Sequence, residues 1–257
     1  MDTNNQGVAV SDRPNEAPVS IELERVMQLL AQGEIELQGQ LLWSSNYSFL
    51  VDVRDGELEC LAVYKPQRGE RPLWDFDRGT LCLREYAAFV VSQALGWGLV
   101  PPTVLREGPH GLGSLQFYVD ADPDEHFFSL RDEHPVEFQR IALFDLLTNN
   151  ADRKSGHCLR DHDGRIWCID HGLTFNAQPK LRTVIWDYAG QPIPADLLGD
   201  LRDLKAQLAD SADVPQILQE LLSSSEMQML RKRLDDLLQI DRFPPPGPGR
   251  NVPWPLV

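Results

Sequence analysis

Apolar positions change their spacing several times along the chain, and each change marks an element. Residues 1–17 are polar and show no period, which predicts a disordered arm. From Ser20 the pattern turns helical: Ile21, Leu23, Val26, Met27, Leu29 and Leu30 recur on one face, with Ser20 as N-cap and Gly33 as the stop. Alternation then takes over. Ile35–Trp43, Tyr47–Val53 and Leu58–Tyr64 read as strands, turning at Ser44-Ser45-Asn46 and at Arg54-Asp55-Gly56, and this antiparallel meander ends in Val63-Tyr64-Lys65-Pro66. After a polar loop over residues 67–79, which holds Trp74 and Phe76, Thr80 is placed to N-cap a helix from Leu81 to Leu95 that Gly96 stops. Thr103–Leu105 and Ser114–Val119 are short strands around a turn at Gly108–Gly113.

The second half reads mainly helical. Pro135 begins a helix ending near Leu147, with Phe138, Ile141, Ala142, Phe144 and Leu147 on its apolar side. A hairpin turning at Asp161-His162-Asp163-Gly164 follows, then a loop over residues 176–193. Three leucine-faced helices come next, Pro194–Leu208, Val214–Leu222 and Ser225–Ile240. Pro244–Leu256 holds six prolines and reads as an extended tail that Trp254 is placed to pin.

The chemistry collects in residues 141–175. The helix runs out at Asn149-Asn150, Asp152-Arg153 follows, and His157 stands five residues after the Asp. The second hairpin strand ends in Ile169-Asp170-His171-Gly172. An Asp in a loop is costly to bury, so it is solvated, paired or catalytic. A second Asp one hairpin later is positioned to lie near the first, an arrangement suited to a base and a metal-binding carboxylate around a phosphoryl group. Asp145, on the helix, is either a brace for that loop or an exposed carboxylate.

Composition narrows the setting. With 257 residues, 42% hydrophobic and 25% charged, the chain has the makings of a globular protein with a substantial core. There is no apolar run of membrane-spanning length and no secretory leader pattern, so a cytoplasmic protein without stable membrane insertion is expected. A net charge of −15 disfavours nonspecific binding to nucleic acid. Cys60, Cys82, Cys158 and Cys168 form no CxxC pair and read as reduced, buried thiols, although Cys158, His162, Cys168 and His171 have the makings of a zinc site.

In order and spacing, residues 38–175 resemble the atypical kinases: the phosphatidylinositol 3- and 4-kinases, type II 4-kinases above all, and more distantly the HipA-like kinases. Asp152-Arg153 is similar to their catalytic loop, Ile169-Asp170-His171-Gly172 to their Ile-Asp-x-Gly, Tyr64-Lys65-Pro66 to Phe-Lys-Pro, and Arg84-Glu85-Tyr86-Ala87-Ala88 to Arg-Glu-x-Ala-Ala. The departure is His157 where those families carry Asn. The resemblance implies an α+β, bilobal, protein-kinase-like fold of the phosphatidylinositol 3-/4-kinase type. Residues 18–119 form an antiparallel-sheet N-lobe including the Glu85 helix, residues 120–242 a helix-rich C-lobe, and residues 243–257 the tail.

The same resemblance implies roles. Lys65 contacts ATP phosphates and Glu85 pairs with it; Ser44, Ser45 and Asn46 cap phosphates. Gln116, Phe117, Tyr118 and Val119 form the hinge around adenine. Asp170 binds Mg2+ or Mn2+, with His157 or Asn150 as second ligand. Asp152 is the base toward a hydroxyl of a protein or small polar acceptor, and Arg153 steadies the loop or the transferred phosphate. A catalytically inactive nucleotide-binding scaffold, with His157 marking an altered metal site, and nucleotidyl transfer on the same fold are the alternatives.

Overall fold

A computed structural model of the protein describes the backbone of residues 7–10, 19–41, 46–209 and 213–257, and side chains from Glu22 onward within those ranges. The chain divides into two compact units, Met1–Cys82 with Pro101–Val119, and Leu83–Val100 with Asp120–Val257.

In the first unit, β1 (Gly7–Val10), which falls in the stretch expected to be an unstructured arm, pairs antiparallel with β2 (Val19–Glu22). Ser20 therefore sits in a strand, and α1 (Leu23–Gln32) begins after Glu22, which makes no side-chain cap. Val26, Leu29 and Leu30 are its buried stripe. Arg106 completes its other end by donating to the carbonyls of Leu30 and Gly33 (2.9 and 2.8 Å), satisfying acceptors that a helix C-terminus leaves open.

The core of this unit is a five-stranded antiparallel sheet. Its strands are β3 (Glu34–Gln40), β4 (Phe49–Arg54), β5 (Glu59–Pro66), β6 (Thr103–Gly108) and β7 (Gly111–Phe117), in the order β3-β4-β5-β7-β6. Alternation decides which side chains go inward. Cys60, Ala62, Tyr64 and Pro66 of β5 are buried, while Leu61, Val63 and Lys65 belong to the other face. The turn between β6 and β7 is tighter than the glycines suggest: Gly108 pairs with Gly111, leaving Pro109 and His110 as the loop. Gly113 is where β7 comes closest to β5, since a Cβ there would lie 2.6 Å from the Lys65 carbonyl oxygen.

The helix α2 (Leu81–Ala94) starts in the first unit and continues in the second. Thr80 does not cap it. Its hydroxyl donates to the Asp77 carbonyl, and Glu70 Oε1 accepts the Cys82 N–H at the helix start (2.9 Å). The Glu85 helix, grouped by its position in sequence with the first lobe, thus belongs from Leu83 on to the second unit.

The second unit is helical around a small hairpin. It contains α3 (Phe127–Leu130), α4 (Pro135–Thr148), β8 (Cys158–Arg160), β9 (Ile166–Cys168), α5 (Ala195–Ala209), α6 (Asp213–Leu221) and α7 (Ser224–Ile240). Leu197, Leu201, Leu204 and Leu208 of α5 and Met227, Leu230, Leu234 and Leu237 of α7 are buried, as their spacing predicts. Ser223 caps α7 through a reciprocal pair with Glu226. The proline-rich tail is held, but not by Trp254, which is 76% exposed. Phe243 is buried, and backbone groups of Asn251 and Leu256 make the attachments. Among the described residues, no helix is long and apolar enough to cross a membrane.

Candidate active site

The second unit builds its polar centre at the end of α4. Asn149 adopts a left-handed conformation (φ 54°), which stops the helix and turns the chain. Asp145, one turn earlier, points inward with no exposure. Its carboxylate accepts from Asn150 Nδ2 (3.0 Å), from Arg153 Nε (3.1 and 3.2 Å) and from the Thr183 hydroxyl (3.0 Å). Asp145 is therefore the brace, not a solvated carboxylate. Burial holds its pKa above the ordinary carboxylate range, against the pull of Arg153, Thr183 and Asn150. For Arg153 burial works against the charge, but the Asp145 carboxylate together with Cys168 and Cys158 holds the guanidinium above its ordinary range.

Two candidate residues are spent inside this lattice. Arg153 is fully buried and reaches the Ile169 carbonyl (3.0 Å), the His157 carbonyl (3.4 Å) and His171 Nε2 (2.7 Å). It ties the loop to the residues flanking both strands of the hairpin, and its donors are taken by Asp145, the two carbonyls and His171. Asn150, also fully buried, donates to Asp145 and accepts the Asp152 N–H through Oδ1 (3.0 Å). Through that Oδ1 bond Asn150 helps to place Asp152.

Asp152, His157 and Asp170 are what the lattice presents. The Asp152 side chain is 26% exposed, with Lys154 Nζ 3.4 Å from its Oδ2. Burial raises its pKa, Asp170 raises it further and Lys154 opposes. A carboxylate whose pKa is pushed upward is a better proton acceptor than a free one. Asp170 sits at φ 60°, a left-handed conformation rare for a residue with a side chain, and its carboxylate is 47% exposed. Its Oδ2 lies 3.4 Å from His157 Nε2. Lys154 escaped the sequence reading; its position two residues after Asp152 was the available signal.

His157 differs from the expectation in detail. The Lys154 N–H donates to its Nδ1 (3.4 Å), so the neutral ring carries its proton on Nε2, facing Asp170. In this arrangement it is a hydrogen-bond partner of the carboxylate, and becomes a ligand only when that proton leaves. Among the described residues, no group of three or more His, Cys, Asp or Glu is placed to hold a metal ion. Asp170 with one neighbour does fit a hard cation that arrives on phosphate oxygens and keeps its waters, as Mg2+ does. The zinc arrangement does not form: Cys158 and Cys168 face each other, buried, across the hairpin, the His162 side chain is 75% exposed beside Asp120, and His171 is buried against Arg153.

Glu85 reaches this centre from α2. Only 2% exposed, it accepts the His171 backbone N–H through Oε2 (2.8 Å) and so steadies the segment that carries Asp170. Next to it, Arg84 donates to the Thr174 carbonyl (2.9 Å) and pairs with Glu226 of α7 (2.6 Å).

The remaining candidates belong to the first unit. Lys65 is half-buried on β5 beside Ser114 of β7. Ser44 and Ser45 lie outside the described residues. Asn46 Oδ1 accepts the Arg71 N–H (2.9 Å), which engages it with the following loop. In the hinge stretch, Gln116 is buried and donates to the Thr103 hydroxyl (2.9 Å), Phe117 and Val119 are buried, and the Tyr118 N–H donates to Leu61 (3.0 Å). Gln116 is paired with Val63 of β5 on one side and Thr103 of β6 on the other.

Comparison with known proteins fits this picture. No family model matches the chain. It is 38% identical over 266 residues to protein Rv2133c of Mycobacterium tuberculosis, covering 88% of this chain and 94% of that one. A stretch of 129 residues is 31% identical to phosphatidylinositol 4-kinase gamma 4 of Oryza sativa subsp. japonica, 43% of this chain but 23% of that one. Among solved structures, the Golgi casein kinase with Mn/ADP bound superposes with a TM-score of 0.51 at 13% identity, over 84% of this chain and 74% of the other. At that identity the likeness speaks to fold: an α+β, kinase-like architecture with an antiparallel sheet.

Proposed function

The chain belongs to the family of protein Rv2133c of Mycobacterium tuberculosis, and we propose that it is an ATP- and divalent-metal-dependent phosphotransferase of the phosphatidylinositol 3-/4-kinase-like class. The acceptor is a hydroxyl of a protein or a small polar molecule, and neither nucleic acid nor stable membrane insertion is part of the reading. One observation carries it. A buried lattice of Asp145, Arg153, Asn150 and Thr183 holds Asp152, itself partly exposed, and the same Arg153 anchors the hairpin end that carries Asp170. A buried charge pair that holds two partly exposed carboxylates in place supports reading them as a site.

In this reading Asp152 accepts the proton of the acceptor hydroxyl as its oxygen bonds to the γ-phosphorus. The bond from phosphorus to the β,γ-bridging oxygen breaks, and ADP leaves. Lys154, beside Asp152, supplies positive charge near the transferred group. Asp170, steadied through Glu85 and His171, would hold Mg2+ or Mn2+, which when bound neutralises phosphate charge. Catalysis of this kind rests on positioning and electrostatics, which explains the effort spent on bracing.

Asp152→Asn tests the base. The expected result is loss of phosphate transfer by about a thousandfold or more, with ATP affinity within about threefold and unchanged folding. ATP consumption is followed with Mg2+ and with Mn2+ while nucleotide affinity is titrated in parallel. Wild-type protein that binds ATP yet consumes none with either metal favours the inactive scaffold. Equal turnover by Asp152→Asn removes the base.

A further inference from the structure

The strongest unassigned feature lies at the far end of the chain, on the back of the catalytic loop. Residues 250–257 have no helix or strand to hold them, yet they are bound by loops of the candidate site. The Ser155 N–H, three residues after Asp152, donates to the Leu256 carbonyl (2.8 Å). The Thr183 N–H and the Trp186 indole N–H both donate to the Asn251 carbonyl (3.1 and 3.0 Å). Pro253 between these anchors is buried. A Cβ on Gly156 would lie 3.9 Å from Val257 Cγ1, which is ordinary van der Waals contact. Asn251 fixes the turn that starts the segment, its amide donating to Gly247 and Gly249.

These anchors sit at significant points. Thr183 is 2% exposed, and its hydroxyl donates to Asp145, the hub of the catalytic lattice. Around it, residues 182–184 run beside the catalytic loop: the Arg182 N–H donates to Asn150, the Arg153 N–H to Arg182 and the Val184 N–H to Arg153. One end of the segment therefore holds the stretch around Thr183 that backs Asp145, and the other holds the loop beyond Asp152. We propose that residues 250–257 form a strap that positions Asp152 for transfer, with Asn251, Thr183 and Ser155 as its positioning residues. This rests on the phosphotransferase reading. Ser155 and Thr183 would otherwise present buried N–H groups without these acceptors, and the loop carrying the base would lose its contact at Ser155.

Three variants test it. One ends the chain after Gly249. Ser155→Pro removes the single N–H that grips Leu256; Lys154, at φ −87° and ψ 163°, already has the extended conformation that a residue before proline needs, and Ser155 opens a 3-10 turn. Asn251→Ala loosens the turn and leaves its backbone carbonyl in place. Expected in all three is faster hydrogen exchange at the Thr183 amide, with kcat for phosphate transfer down about tenfold in the first two and KM for ATP within about twofold. A synthetic peptide of residues 244–257 should restore at least half of kcat to the shortened chain. Faster exchange with kcat unchanged overturns the proposal, and so does a rise in kcat, which would make the segment an inhibitor. Should the full chain transfer no phosphate to any acceptor, the functional reading fails and takes the positioning role with it. Slow exchange at Ser155 and Thr183 would still show the strap seated, which tells that failure apart.

Discussion

Removing the charge of Asp145 is the sharpest test of the buried lattice. Asp145→Asn leaves the shape but replaces a carboxylate that serves Arg153, Asn150 and Thr183, all at most 2% exposed. Breaking a buried ion pair from one side costs about 3–5 kcal/mol, because the remaining charge is stranded. Arg153 keeps the carbonyls of Ile169 and His157 and the His171 ring as partners, which places the expected loss near the lower figure, about 3 kcal/mol. Arg153→Met alone strands Asp145 and should cost a similar amount, whereas Asp145→Asn with Arg153→Met removes both charges and should cost about 2 kcal/mol less than the sum. Urea unfolding of the four proteins, followed by tryptophan fluorescence and far-ultraviolet circular dichroism, gives the cycle directly. A coupling below about 0.5 kcal/mol would mean that the two residues do not act as a unit, and the account of how Asp152 is held would fall with it.

Other consequences can be checked more simply. Gly113→Ala puts a Cβ 2.6 Å from the Lys65 carbonyl oxygen, and should destabilise the first unit by about 1–3 kcal/mol, read as a lower urea midpoint; a neutral result would show that β7 can shift there freely. Asp170→Gly relieves a left-handed residue and should leave stability unchanged or raise it by up to about 1 kcal/mol while metal-dependent ATP affinity is lost, so a loss of more than about 1 kcal/mol would contradict the conformational argument. Arg25 beside Asp55 holds that carboxyl low, at about 2, helped by the Leu58 and Glu57 N–H groups. Since the folded value is depressed, the stabilisation is present above the unfolded pKa of about 3.9 and is lost as pH falls toward about 2. The stability difference between wild type and Asp55→Asn should therefore shrink across that window, and a difference independent of pH would refute the assignment.

Local pattern carried much of the architecture. Period-two alternation and turn residues suffice to place β4 and β5, and with them Lys65 near the end of the third strand of the meander, because each signal depends only on neighbours in the chain. Leucine spacing placed α5 and α7 within a residue or two for the same reason. The order Asp152, then hairpin, then Asp170 was enough to expect two carboxylates around one reaction. Local rules failed where a competing partner came from elsewhere: Ser20 has the chemistry of an N-cap but is drawn into pairing with Ala9, and Thr80 yields its capping task to Glu70.

What residues 141–175 determined by themselves is thus which side chains are available for phosphate chemistry. Which of those remain available was decided only in three dimensions. Arg153 and Asn150 look as functional as Asp152 in the sequence, yet Asp145, His171, the carbonyls of His157 and Ile169 and the Asp152 N–H take up their hydrogen bonds, while Asp152 keeps a face to solvent. Glu85 meets the His171 backbone across 86 positions, and Asn251 meets Thr183 across 68. A hydrogen bond is made to whichever partner the fold brings within about 3 Å, and no periodicity along the chain encodes that distance.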